Sequence, residues 1–125
     1  GNMVFTDVSQ EAGITLEGFG LGLAINDFNE DGKPDIYVAN DATPNVLWRN
    51  DGRGKFTDIG LDVGCAVNGS GSPEAGMGVQ FVDMNGDGHM DLYMTHLRNE
   101  TNTFYENLGL VNSGFGYRYR CKDTA

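Results

Sequence analysis

A nine-residue acidic loop is written twice in this chain, and nothing else in the sequence limits the fold as much. Asp27-Phe28-Asn29-Glu30-Asp31-Gly32-Lys33-Pro34-Asp35 returns 56 residues later as Asp83-Met84-Asn85-Gly86-Asp87-Gly88-His89-Met90-Asp91. Both copies read D-x-N-x-D-G-x-x-D. Oxygen side chains at alternate positions of a tight turn converge on one point. A hard cation such as calcium takes about 6–8 oxygens at roughly 2.3–2.6 Å. The expected ligands of the first loop are Asp27, Asn29, Asp31, the backbone carbonyl of Lys33, and Asp35. Those of the second are Asp83, Asn85, Asp87, the backbone carbonyl of His89, and Asp91. Two Ca2+ sites are therefore expected. No thiolate or imidazole side chain is needed, which argues against zinc. Magnesium demands a stricter octahedron and keeps its waters. The competing reading is an ion-free turn, because Asp, Asn and Gly are ordinary turn residues. Two copies that keep every pattern position favour the metal, since each empty loop would gather like charges.

The flanks decide what kind of loop this is. A helix–loop–helix calcium site needs a bidentate Glu at the twelfth position and a helix on either side. Val38 and Met94 stand at that position. Leu23-Ala24-Ile25 and Ile36-Tyr37-Val38 flank the first loop, and Val79-Gln80-Phe81-Val82 and Leu92-Tyr93-Met94 the second. Short runs of this composition read as strands, so the loops are turns of β-hairpins.

The repeat extends past the loops. Gly20-Leu21-Gly22 matches Gly76-Met77-Gly78, and Asp35-Ile36-Tyr37-Val38 matches Asp91-Leu92-Tyr93-Met94. With one residue inserted, Asn45 to Gly52 matches Asn102 to Gly109, and Phe5-Thr6-Asp7-Val8 recurs as Phe56-Thr57-Asp58-Ile59. Strands are expected near 21–27, 35–40, 45–50 and 55–59, then near 77–83, 91–96, 102–107 and 115–120. The five extra residues between the units fall in Val67 to Glu74, which reads as a longer loop. Asp7 to Ala12 makes at most one helical turn. The fold expected is all-β: one domain, 1–125, made of two tandem four-stranded antiparallel units at about 4–59 and 60–120.

These residues carry a resemblance. Phe5 to Ile14, the G-x-G before each loop, the loops themselves, the following Ile36-Tyr37 and Leu92-Tyr93, and Asn45 to Phe56 together resemble the FG-GAP/VCBS repeat family. The likeness is strongest to its bacterial branch beside ASPIC/UnbV domains. It covers about residues 4–109. The resemblance implies propeller blades like those of integrin α-subunit heads, with calcium in the loops. Copy two has Ala75-Gly76 where copy one keeps Phe19-Gly20, and the G-A-P signature is absent from both. Two blades do not close a ring, because propellers have about 4–8. A homo-oligomer or a larger propeller is expected rather than a self-sufficient monomer, with a compact two-sheet sandwich as the third arrangement.

Charge and composition narrow the partners. The formal net charge of −10 argues against nucleic acid, and two dications would bring it to −6. No apolar run approaches a transmembrane helix, and the given sequence carries no signal peptide. An extracellular, periplasmic or cell-surface setting suits weak calcium sites. Cys65 and Cys121 are read as a disulfide or as two thiols with equal weight. His89 and His96 lack a nucleophile and matching acid nearby, and the serines lack a nucleophile-elbow pattern. Tyr37, Trp48, Tyr93 and Tyr105 read as packing residues before sugar platforms. The function expected is a non-enzymatic calcium-binding repeat module for adhesion or protein interaction. A carbohydrate-binding module or a non-catalytic piece of a larger secreted enzyme is the alternative.

Overall fold

In a computed structural model, residues 2–111 and 116–124 are described. Eight strands form two antiparallel sheets in simple meander order. The first contains β1 (Gly20–Asn26), β2 (Asp35–Asn40), β3 (Val46–Gly52) and β4 (Lys55–Asp58). The second contains β5 (Gly76–Val82), β6 (Asp91–His96), β7 (Asn102–Leu110) and β8 (Tyr117–Thr124). Each acidic loop caps the first hairpin of its sheet. The equivalence predicted from sequence holds in register: Ile36 pairs with Trp48 and Leu92 with Tyr105, while Asn50 pairs with Phe56 and Asn107 with Tyr119. The start of the expected last strand, residue 115, lies outside the described residues.

Alternation along the strands sends one set of side chains between the sheets. Ala24, Tyr37, Ala39 and Leu47 come from the first sheet; Leu92, Met94, Tyr105 and Tyr119 come from the second. Full burial of each large side chain stabilises the fold by about 1.5–3 kcal/mol. Phe28, the second residue of the first loop, also belongs to this core and lies against Tyr117 and Tyr119 of β8. The strands β1 and β5 approach closely because Gly22 has no side chain; a Cβ there would collide with the Met77 carbonyl oxygen. Trp48, Tyr37 and Tyr105 are buried, as their repeat-equivalent positions predict, whereas Tyr93 is half-buried and lines an open groove.

Among the described residues there are also two single helical turns. α1 (Ser9–Ala12) falls inside the expected turn, whereas α2 (Gly60–Val63) was not anticipated from sequence. Both end on a glycine in the left-handed region, Gly13 at φ 81° and Gly64 at φ 90°, the geometry that stops a helix without Cβ strain. Cys65 is buried and no disulfide joins it to Cys121 among the described residues. Burial pushes the Cys65 thiol pKa well up, so it acts as a small apolar group. No described helix is long and apolar enough to cross a membrane.

Candidate metal loops on the first hairpins

The first residue of each loop organises its turn. Asp27 Oδ1 accepts from the Asp31 amide at 3.0 Å and Oδ2 from the Gly32 amide at 2.7 Å. Asp83 Oδ1 accepts from the Gly86 and Asp87 amides at 2.8 and 3.1 Å, and Oδ2 from Gly88 at 2.9 Å. Gly32 and Gly88 have φ of 84° and 90°, which is why glycine stands at the sixth position. The fifth residue closes the next step, with Asp31 accepting from the Lys33 amide and Asp87 from the His89 amide, each at 2.9 Å. The His89 amide is the main reason the Asp87 carboxyl sits below its ordinary pKa.

The ninth residue has a different duty. Asp35 and Asp91 are fully buried. Asp35 Oδ2 accepts from the Phe28 amide at 3.2 Å, and Oδ1 from the Asn50 amide at 2.7 Å. Asp91 repeats this with Met84 at 3.0 Å and Asn107 at 2.8 Å. Each carboxylate therefore ties the loop entrance to the third strand of its sheet. Burial raises the Asp35 carboxyl to about 6, against the pull of the Asn50 and Phe28 amides.

The third residues differ between the loops. Nδ2 of Asn29 donates to Asp31 at 3.2 Å, and that of Asn85 to Asp87 at 3.0 Å. Asn85 Oδ1 accepts from the Asp87 amide at 3.1 Å. Asn29 Oδ1 is shielded from solvent and has no hydrogen-bond partner. A buried acceptor without a donor costs free energy that a cation would remove. This orphaned oxygen, beside the carboxylates of Asp27 and Asp31, fits a hard cation. Each carboxylate has about four acceptor positions, so the amide bonds do not exhaust it. Among the described residues no group of three or more His, Cys, Asp or Glu stands ready-made around a metal position. The loop carboxylates are instead turned onto backbone amides. The Lys33 ammonium lies 2.8 Å from Asp31 Oδ2 and offsets part of the first loop's charge.

Several residues that matter here were not singled out from sequence. Glu30, a variable position of the first loop, links the repeats: its carboxylate lies 3.2 Å from His89 Nδ1 and accepts from the Tyr117 hydroxyl at 3.1 Å. Asn50 and Asn107 brace the loops, and their signal was the repeated Asn in the two third strands. His96 turned out to be structural; Nδ1 lies 2.8 Å from the Thr101 carbonyl and Nε2 lies 3.3 Å from Glu74. Glu74 also accepts from Asn68 and Thr103, which anchors the long Val67–Glu74 loop.

A four-stranded antiparallel meander, repeated in tandem with an acidic loop on its first hairpin, defines an all-β repeat protein. The chain belongs to the FG-GAP-like repeat family, whose pattern it matches over residues 27–94. It is also similar to cartilage acidic protein 1 of Mus musculus, 30% identical over 92 residues, and of Xenopus tropicalis, 32% identical over 92 residues. Each match covers 74% of this chain and 14% of the relative, so the chain spans a small part of those proteins' length.

Proposed function

We propose that the chain is a non-catalytic, calcium-stabilised repeat module of β-propeller type, used for protein interaction or adhesion in an extracellular, periplasmic or cell-surface setting. The doubled loop carries this reading, and the unpartnered Asn29 Oδ1 within it is the observation that most favours an ion. Asp27, Asn29, Asp31, the Lys33 carbonyl and Asp35 would hold the first Ca2+. Asp83, Asn85, Asp87, the His89 carbonyl and Asp91 would hold the second. Bound calcium would neutralise each loop, so folding and metal binding are linked. Sites of the extracellular class bind at about 10⁻⁴–10⁻³ M. They would be filled outside a cell and mostly empty in the cytosol.

The test is thermal melting in millimolar calcium and in EDTA. Calcium at roughly ten times Kd stabilises by about 1.4 kcal/mol per site, several degrees in Tm. Asp27→Ala combined with Asp83→Ala is expected to abolish the difference. An unchanged calcium response in that variant overturns the ligand assignment.

One feature favours carbohydrate as the partner. Gly78, Val79, Gln80, Tyr93 and Thr95 line an open groove of about 360 Å³ on the outward face of the second sheet. An aromatic ring beside polar groups suits a sugar. A glycan array that stays blank in millimolar calcium removes this alternative.

A further inference from the structure

The side chain of Glu30 carries the first acidic loop onto the second. Its Oε1 lies 3.2 Å from Nδ1 of His89, and its Oε2 accepts from the Tyr117 hydroxyl at 3.1 Å. The His89 ring is confined on other sides as well. It meets the Tyr117 ring edge-on at 6.2 Å between centroids, and it lies over Gly109, where a Cβ would come within 2.7 Å of Nε2.

The repeat equivalents of these residues behave differently. Lys33 holds in the first loop the place that His89 holds in the second, and it too lies over a strand glycine, Gly52. Its ammonium turns back to Asp31 of its own loop. Glu30 corresponds to Gly86. Both have positive φ, 58° for Glu30 and 75° for Gly86. A glutamate in this region costs free energy that glycine avoids. The first loop thus carries a strained residue where glycine would serve the turn, and the side chain of that residue reaches the other loop.

A buried link holds the two loops in register beneath this contact. Asn107 Nδ2 donates to the carbonyls of Phe28 and Met90 at 3.2 and 3.1 Å, and the Asn107 amide donates to Asp91 at 2.8 Å. The Phe28 amide donates to Asp35 at 3.2 Å. The ninth residues of the two loops are therefore joined through Phe28 and Asn107 alone.

We propose that the two loops take up calcium as a coupled pair, and that Glu30 is the positioning residue that couples them. This rests on the calcium reading of the loops and adds regulation to those sites. Glu30 stands between Asn29 and Asp31, so fixing those two ligands fixes Glu30. The carbonyl of His89 belongs to the second ligand set, so confining its ring steadies that carbonyl. Order gained in one loop is then order that the other need not gain alone, and this makes binding cooperative. The Glu30 carboxylate belongs to neither ligand set, and its charge offsets part of the repulsion between two filled sites. The coupling is reciprocal by linkage.

The test is a calcium titration of the 125-residue chain followed by NMR, with the amide signals of Gly32 and Gly88 reporting the two loops separately. Glu30→Gly is titrated beside it. That variant gives the first loop the residue with which the second already folds, so the turn is kept. Coupling of about fivefold gives each wild-type loop a Hill slope of about 1.4. In Glu30→Gly each loop is expected to follow a simple hyperbola with its own midpoint. A Glu30 that only supports the turn would move the midpoints and leave the slopes, and that result overturns the proposal. Hyperbolic curves in the wild type also overturn it, while leaving the calcium reading intact. No shift of either glycine in millimolar calcium would sink the calcium reading and this proposal with it.

Discussion

The side-chain amide of Asn107 donates to the carbonyl of Phe28 at 3.2 Å, across the boundary between the two repeats. The same nitrogen donates to the Met90 carbonyl at 3.1 Å, and Oδ1 accepts from the Gly109 amide at 2.9 Å. Asn50, its counterpart, makes the matching local bonds to Pro34 and Gly52 and is only half-buried. One residue thus holds the second loop to its strand and the first loop to the second sheet. Asn107→Ala leaves two carbonyls and an amide without their side-chain partner at a buried position. A loss of about 2–4 kcal/mol is expected, against about 1 kcal/mol for Asn50→Ala. Urea midpoints at constant m-value check this; equal losses would mean the inter-repeat bond contributes nothing.

Gly22 and Gly78 occupy equivalent places with different surroundings. A Cβ at Gly22 runs into the Met77 carbonyl, while one at Gly78 meets only the Thr95 hydroxyl, at 3.1 Å, on an exposed face. Gly22→Ala forces β1 and β5 apart and is expected to cost about 2–3 kcal/mol, in the range of overpacking. Gly78→Ala is expected to stay within about 1 kcal/mol. Chemical denaturation of the two variants separates them, and similar costs would contradict the close approach of β1 to β5.

Legibility from sequence divides along a physical line. Features repeated in both units were readable: the loops between strands, the matched pairs Tyr37 and Tyr93 or Trp48 and Tyr105, and the strand limits within a few residues. Features that depend on one unit meeting the other were not. Phe28 and Met84 both fill a variable place in the loop pattern, yet Phe28 is buried against β8 and Met84 is 57% exposed, because only the first loop has a neighbour on that side. Glu30 joins His89 and Tyr117 for the same reason. The sequence marks Asp35 and Asp91 as shared places of the doubled loop pattern but not as buried acceptors of strand amides. Their partners are backbone atoms, which leave no residue-type signal.

Variants of Asn29 would separate the proposed metal binding from turn stability. Asn29→Asp adds a carboxylate to a loop that already carries Asp27, Glu30, Asp31 and Asp35. Without calcium it is expected to lower Tm through like-charge repulsion. With calcium it is expected to tighten binding about tenfold, which is roughly 1.4 kcal/mol. Asn29→Ala removes the orphaned oxygen, so the calcium-free protein is expected to change little while affinity falls. Calorimetric calcium titration beside melting in EDTA gives both quantities. A parallel change of affinity and calcium-free stability in both variants would show that Asn29 shapes the turn rather than ligating an ion.

Asp35 makes the calcium-free protein sensitive to pH. Its folded-state pKa of about 6 lies above the ordinary aspartate value. The native state therefore holds this proton after the unfolded chain has released it. Stability falls as pH rises from about 4 to 6, and the deficit, roughly 2–3 kcal/mol, is complete above that window. Asp35→Asn lowers stability overall, since an amide nitrogen then faces a backbone donor, but it is expected to remove this contribution to the slope. A calcium ion bound as proposed would hold the carboxylate ionised, so in calcium the decline is expected to flatten or reverse. Denaturation curves at intervals from pH 4 to 7, in EDTA and in calcium, read the slopes directly. The same slope in the wild type and in Asp35→Asn would place the titrating group elsewhere. The same slope with and without calcium would mean that Asp35 braces the backbone without touching the ion.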